Sequence, residues 1–76
     1  MDSAELAIVE NLAKNHLVYT KAVRSALLER HFNEKDVEEA LVSLERSGML
    51  SRIKLFGEEN LALTKTGLRA ASQKIR

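Results

Sequence analysis

The sequence predicts a mainly α fold with a small β-hairpin (α+β), in the order helix, short extended piece, helix, tight turn, helix, two-stranded hairpin, helix. Three observations predict it. Apolar residues recur at helical spacing in four stretches, and a capping residue stands at the head of each. Only a tight turn separates the second stretch from the third. After Gly48 the period changes from helical to alternating, which marks strands. With 76 residues, the expectation is one domain, 1–76.

Asp2-Ser3-Ala4-Glu5 has capping-box spacing. Leu6, Val9, Leu12 and Ala13 then share a face, so the first helix covers about residues 3 to 15; Ile8 lies off that stripe and widens it. Leu17-Val18-Tyr19 is β-prone but short, suited to an edge strand. Thr20 is expected to cap a second helix over about 20 to 30, with Val23, Ala26, Leu27 and Arg30 at helical spacing. His31-Phe32 closes it, and Phe32 is expected to be buried. Asn33 is a strong N-cap with Asp36 three residues on. Val37, Ala40, Leu41 and Leu44 form the apolar stripe of a third helix, and Gly48 suits the left-handed position just past its end.

From Met49 to Phe56 the residues alternate. Met49, Ser51, Ile53 and Leu55 share one face; Leu50, Arg52, Lys54 and Phe56 share the other. Gly57 to Asn60 is expected as the turn and Leu61-Ala62-Leu63 as the returning strand. Thr64 caps a last helix through Ala70, Ala71 and Ile75. There is no proline to interrupt any of these elements.

Composition narrows the function. Hydrophobic residues make up 45% and charged residues 30%, an ordinary globular balance. Absence of cysteine excludes disulfides, thiolate metal sites and a cysteine nucleophile. No apolar run approaches the roughly 18 residues of a membrane helix, and the N-terminus has no basic-then-apolar leader, so a cytoplasmic location is expected. His16 and His31 lack a second metal ligand at helical spacing. Glu38 and Glu39 diverge around a helix, and no glycine-rich phosphate loop is present. The expectation is a non-enzyme with no cofactor, no metal and no catalytic residue.

Net charge is only +1, but it is polarised. Between Glu34 and Ser47 five acids stand with two bases, net −3, so the rest of the chain carries +4. Lys65 to Arg76 contains Lys65, Arg69, Lys74 and Arg76 and no acid. Polarised charge bears on partners rather than on fold.

Three stretches carry a family resemblance. VEEALVSLERSGML, Val37 to Leu50, looks like a recognition helix followed by L-x-x-x-G-x-L. SRIKLFGEENLAL, Ser51 to Leu63, looks like a wing. LTKTG, Leu63 to Gly67, is similar to the L-T-x-x-G that leads from wing to last helix. Together they cover about half the chain and resemble the winged helix-turn-helix domain of MarR-like and PadR-like transcription regulators.

The resemblance implies that the third helix enters the DNA major groove while the wing reaches phosphates or the minor groove. Groove-facing positions would be Glu34, Lys35, Asp36, Glu38, Glu39, Val42 and Ser43. Wing positions would be Arg52, Lys54 and the tip from Gly57 to Asn60. Phosphate contacts would come from Lys21 and Arg24 on the second helix, Arg52 and Lys54 on the wing, and Lys65 and Arg69 on the last helix, with Lys35, Glu39 and Ser43 nearest the bases. The family usually carries Ser, Thr, Arg, Lys, Asn or Gln where this chain has acids, and duplex DNA repels a row of carboxylates. The partner that the resemblance implies is double-stranded DNA, bound by a transcriptional regulator through the wing, the second helix and the third helix. The alternative is a protein-interaction module whose acidic helix meets a basic protein. A homodimer through the first and last helices is also expected, the alternative being that Ile8 and Ile75 complete the monomer core.

Overall fold

The computed structural model describes residues 2–74. Helix α1 (Ser3–Lys14) opens on a reciprocal cap: Glu5 N–H donates to Asp2 Oδ1 at 2.9 Å, and Asp2 N–H donates to Glu5 Oε1 at 3.2 Å. It buries Ala4, Ala7, Ile8, Val9 and Leu12. Ile8, expected off the stripe, has no exposed surface, while Leu6 lies at the rim. The reason is that α1 is central. It packs against the second, third and fourth helices and the last strand, so its apolar arc must be wider than one stripe.

Strand β1 (Val18–Tyr19) leads directly into α2 (Thr20–Glu29). Thr20 does not cap that helix. Tyr19 occupies the cap position without a side-chain hydrogen bond, and Thr20 Oγ1 donates instead to Glu59 Oε2, 3.1 Å away. Helix α2 ends in a Schellman turn with His31 in the left-handed region, φ 71°. His31 N–H donates to Leu28 O at 3.0 Å and Phe32 N–H to Leu27 O at 3.1 Å. The turn seats Phe32 against the core, half-buried rather than buried. Helix α3 (Glu34–Arg46) then starts at Asn33, whose Oδ1 accepts from Asp36 N–H at 2.8 Å. A second Schellman turn ends it. Gly48, φ 79°, donates to Glu45 O at 3.1 Å, and Met49 N–H donates to Leu44 O at 3.0 Å.

Strands β2 (Leu50–Leu55) and β3 (Glu58–Leu63) form the hairpin, and β1 adds to the far edge of β3, giving an antiparallel sheet of order β1-β3-β2. Leu55 pairs with Glu58, so the turn is Phe56-Gly57. Both residues have positive φ, 51° and 79°, the two-residue turn whose twist matches the strands. The expected turn at Gly57 to Asn60 is thus two residues too late. Glu58-Glu59-Asn60 has turn-like composition but pairs with Leu55, Lys54 and Ile53 of β2, and Asn60 pairs with Tyr19 of β1 as well.

Helix α4 (Lys65–Lys74) is joined to the end of α3 through Thr64. Thr64 N–H donates to Met49 O at 3.0 Å, its hydroxyl donates to Gly48 O, and Thr64 Oγ1 accepts from Gly67 N–H at 3.1 Å. One residue therefore caps α4 and ties it to the turn after α3. Ile75, expected to complete α4, lies outside the described residues. One core runs through all of this, built from Val23, Leu27, Val37, Leu41, Leu44, Leu50, Leu61 and Ala71 around α1.

Gly67 passes so close to the α3–β2 turn that a Cβ there would lie 2.1 Å from Met49 O, a backbone atom that cannot swing away. Gly67→Ala is expected to cost about 1–3 kcal/mol, read as a lower urea midpoint at unchanged slope. An unchanged midpoint would mean that this junction is looser than described.

Candidate nucleic-acid interface

Helix α3 presents three aspects besides its buried one. Lys35, Glu39, Val42 and Arg46, at spacings of four, three and four, point away from the core. Glu38 and Glu45, seven residues apart, emerge from one flank, toward the hairpin. Ser43 lies on the other flank, where its Oγ donates to Glu5 Oε2 of α1 at 2.9 Å.

The hairpin flank is where the charges meet. Arg52 lies on the inner face of β2, two residues beyond buried Leu50, and its side chain is only 21% exposed. Its guanidinium is surrounded by three carboxylates. Nε lies 3.1 Å from Glu45 Oε1, Nη1 lies 3.4 Å from Glu59 Oε1, and Nη2 lies 4.0 Å from Glu38 Oε1. The Nε–H is not aimed at Glu45, so that contact is an ion pair without a hydrogen bond. Glu38 Oε2 is in turn paired with Arg24 of α2. Glu59 also accepts from Thr20. One chain of contacts, Arg24–Glu38–Arg52–Glu59–Thr20, with Glu45 on Arg52, therefore links α2, α3, β2 and β3.

The nine residues singled out from the sequence fall into different settings. Arg24 and Arg52 are held in this network. Ser43 is held by Glu5. Lys21 is exposed and makes a loose pair with Glu58 at 3.8 Å. Lys35, Glu39, Lys54, Lys65 and Arg69 are exposed, with no ion pair among the described residues. Lys35 and Glu39 stand together on the outward stripe of α3, and Lys54 stands two residues beyond Arg52 on the wing. Arg46 was not singled out, although its spacing from Lys35, Glu39 and Val42 places it on the same stripe. The exposed apolar residues Ile53, Leu55 and Phe56 project from the outer end of the hairpin, with Phe56 fully exposed at the tip.

Among the described residues no group of three His, Cys, Asp or Glu could hold a metal ion, and no helix is long and apolar enough to cross a membrane.

A helix-turn-helix whose second helix is followed by a hairpin, closed by L-T-x-x-G into a last helix, defines a winged-helix protein, and the fold is that of winged-helix transcription regulators. No protein-family model matches the chain, and no curated protein matches it. Solved structures do. The chain is similar to the PcaV transcriptional regulator from Streptomyces coelicolor in complex with its natural ligand, with a TM-score of 0.81 at 20% identity over 95% of this chain and 51% of that one. It is similar to NadR in complex with 4-hydroxyphenylacetate, TM-score 0.78 at 19% identity, over 96% of this chain and 52% of that one. It is also similar to SSV1 F-93, TM-score 0.84 at 20% identity, over 96% of this chain and 82% of that one. The chain spans about half the length of PcaV and NadR.

Arg52→Ala would leave three carboxylates facing one another with their shared cation gone. A partly exposed cluster of this kind is expected to lose about 1–2 kcal/mol. Hydrogen exchange should locate the loss, with faster exchange at β2 and β3 amides. Unchanged exchange there would mean that the hairpin is held by its apolar contacts alone.

Proposed function

We propose that this chain is a DNA-binding transcriptional regulator acting in the cytoplasm. The observation that carries the reading is the hairpin fastened along the flank of α3 by Arg52. It makes the groove-entering helix and the wing a single surface. Lys35 and Arg46 stand at the two ends of the outward stripe, and Lys54 extends the positive charge onto the wing. Lys21, Lys65 and Arg69 supply further exposed bases for phosphate contacts, which orient a protein without reading sequence. Glu39, between Lys35 and Arg46, would accept from a cytosine amino group. Arg52 serves this surface by positioning the wing.

Assembly as a homodimer through α1 and α4 belongs to the same reading. Leu68 of α4 is 47% exposed and Leu6 lies at the rim of α1, while Ile8 is wholly used by the monomer core.

A second reading is favoured by a separate observation. Glu34, Asp36 and Glu39 are exposed at the start of α3 and unpaired among the described residues. A basic protein partner would complement them.

Fluorescence anisotropy of a labelled random duplex, titrated at low salt and at about 200 mM, separates the two readings. DNA binding predicts affinity that falls steeply with salt. Lys54→Ala should weaken it about equally on all sequences and flatten the log–log slope by about 0.9, the loss of one phosphate contact. No binding at low salt would remove the DNA reading and leave the basic partner.

A further inference from the structure

We infer that Glu38 is a specificity-determining residue that occupies Arg24 and Arg52 as an internal substitute for DNA phosphate. The inference rests on the DNA-binding reading above. Its basis is the arrangement around one carboxylate. Each oxygen of Glu38 serves a different arginine, Oε2 pairing with Arg24 and Oε1 lying 4.0 Å from Arg52 Nη2. The two arginines come from α2 and β2, the elements on either side of that flank of α3. The side-chain exposures order the three groups from outside inward. Glu38 is 45% exposed, Arg24 33% and Arg52 21%. The carboxylate is thus the outermost member, and an incoming anion reaches the guanidinium groups by displacing it.

A phosphodiester and a carboxylate are alike in what arginine recognises: one negative charge spread over two acceptor oxygens. Exchanging one for the other is close to neutral. A random duplex therefore gains little from Arg24 or Arg52, because it must first evict Glu38. A duplex whose base edges accept the outward stripe of α3 is held close by those contacts, and its backbone can then take over the arginines. The acid consequently lowers non-specific affinity more than specific affinity, which raises the ratio between them. Glu39, the next residue, has no cation attached among the described residues and lies on the outward stripe, so it does not share this role.

The test compares Glu38→Gln with Glu39→Gln on a random duplex across a salt series, with thermal melts to confirm folding. Both variants remove one negative charge from the same helix, and only the first releases arginines. Glu38→Gln is expected to bind about tenfold more tightly at 50 mM salt and to steepen the log–log salt slope by about 1 to 2, one or two added phosphate contacts. Glu39→Gln is expected to shift affinity less and to leave the slope nearer that of the wild type. A cycle with Arg24→Ala checks the route: it should lower the affinity of Glu38→Gln more than that of the parent. Wild-type binding with equal slopes for the two Gln variants, or with no coupling to Arg24, would overturn the inference and leave the DNA reading intact. If no variant binds at low salt, the DNA reading fails and the inference with it.

Discussion

The Arg52 guanidinium sits where three carboxylates from two elements converge, and the shape of the outer surface depends on that convergence. A hairpin of six-residue strands that projects from a small core has little apolar area to hold its angle. Leu50 and Leu61 anchor its base in the core, but beyond them the inner face carries Arg52, Lys54 and Glu59. Charge takes over where apolar burial stops. Such a cluster adds modestly to stability once desolvation is counted, but it is geometrically selective, because a guanidinium has donors in fixed directions. The wing angle and the flank of α3 are set together.

The acidic character of α3 divides along the same lines. Glu38 and Glu45 belong to the flank that meets the hairpin. Glu34 and Asp36 lie in the first turn, where the helix dipole favours negative charge. Only Glu39 of the five acids stands squarely on the outward stripe. A count along the chain gives a helix hostile to DNA, whereas the distribution around the helix gives an outward face with Lys35 and Arg46 at its ends. Angular position, not total charge, is the relevant quantity for a helix that meets a groove with one side.

Much of the fold was legible because its signals are local. Asp2 with Glu5, Asn33 with Asp36, Gly48 after α3 and Thr64 before α4 all act through backbone hydrogen bonds within three or four residues, so spacing alone exposes them. What was not legible depends on partners far along the chain. Thr20 turns from its helix to Glu59, 39 residues away. Glu58 to Asn60 read as a turn until β2 pairs with all three and β1 with Asn60. Ile8 looked peripheral on one helical stripe and proved central because four elements surround α1. The site divides in the same way. Exposure of the lysines followed from the helical and strand periods. The engagement of Arg24, Arg52 and Ser43 did not, since each is set by a carboxylate on another element.

The shared cluster also limits how this surface can change. Residues at the outward stripe, Lys35, Glu39 and Val42, can be exchanged one at a time without disturbing the hairpin. Positions 45, 52 and 59 cannot, because the one guanidinium of Arg52 balances both acids. Helix α3 and the hairpin are therefore one inheritable unit rather than two. Transplanting α3 alone into a different winged helix would carry away two acids whose counter-charge stays behind, and it would leave the donor's arginine among fewer partners than its geometry requires. Keeping the cluster whole in another scaffold of this type calls for moving residues 20 to 63 as a block.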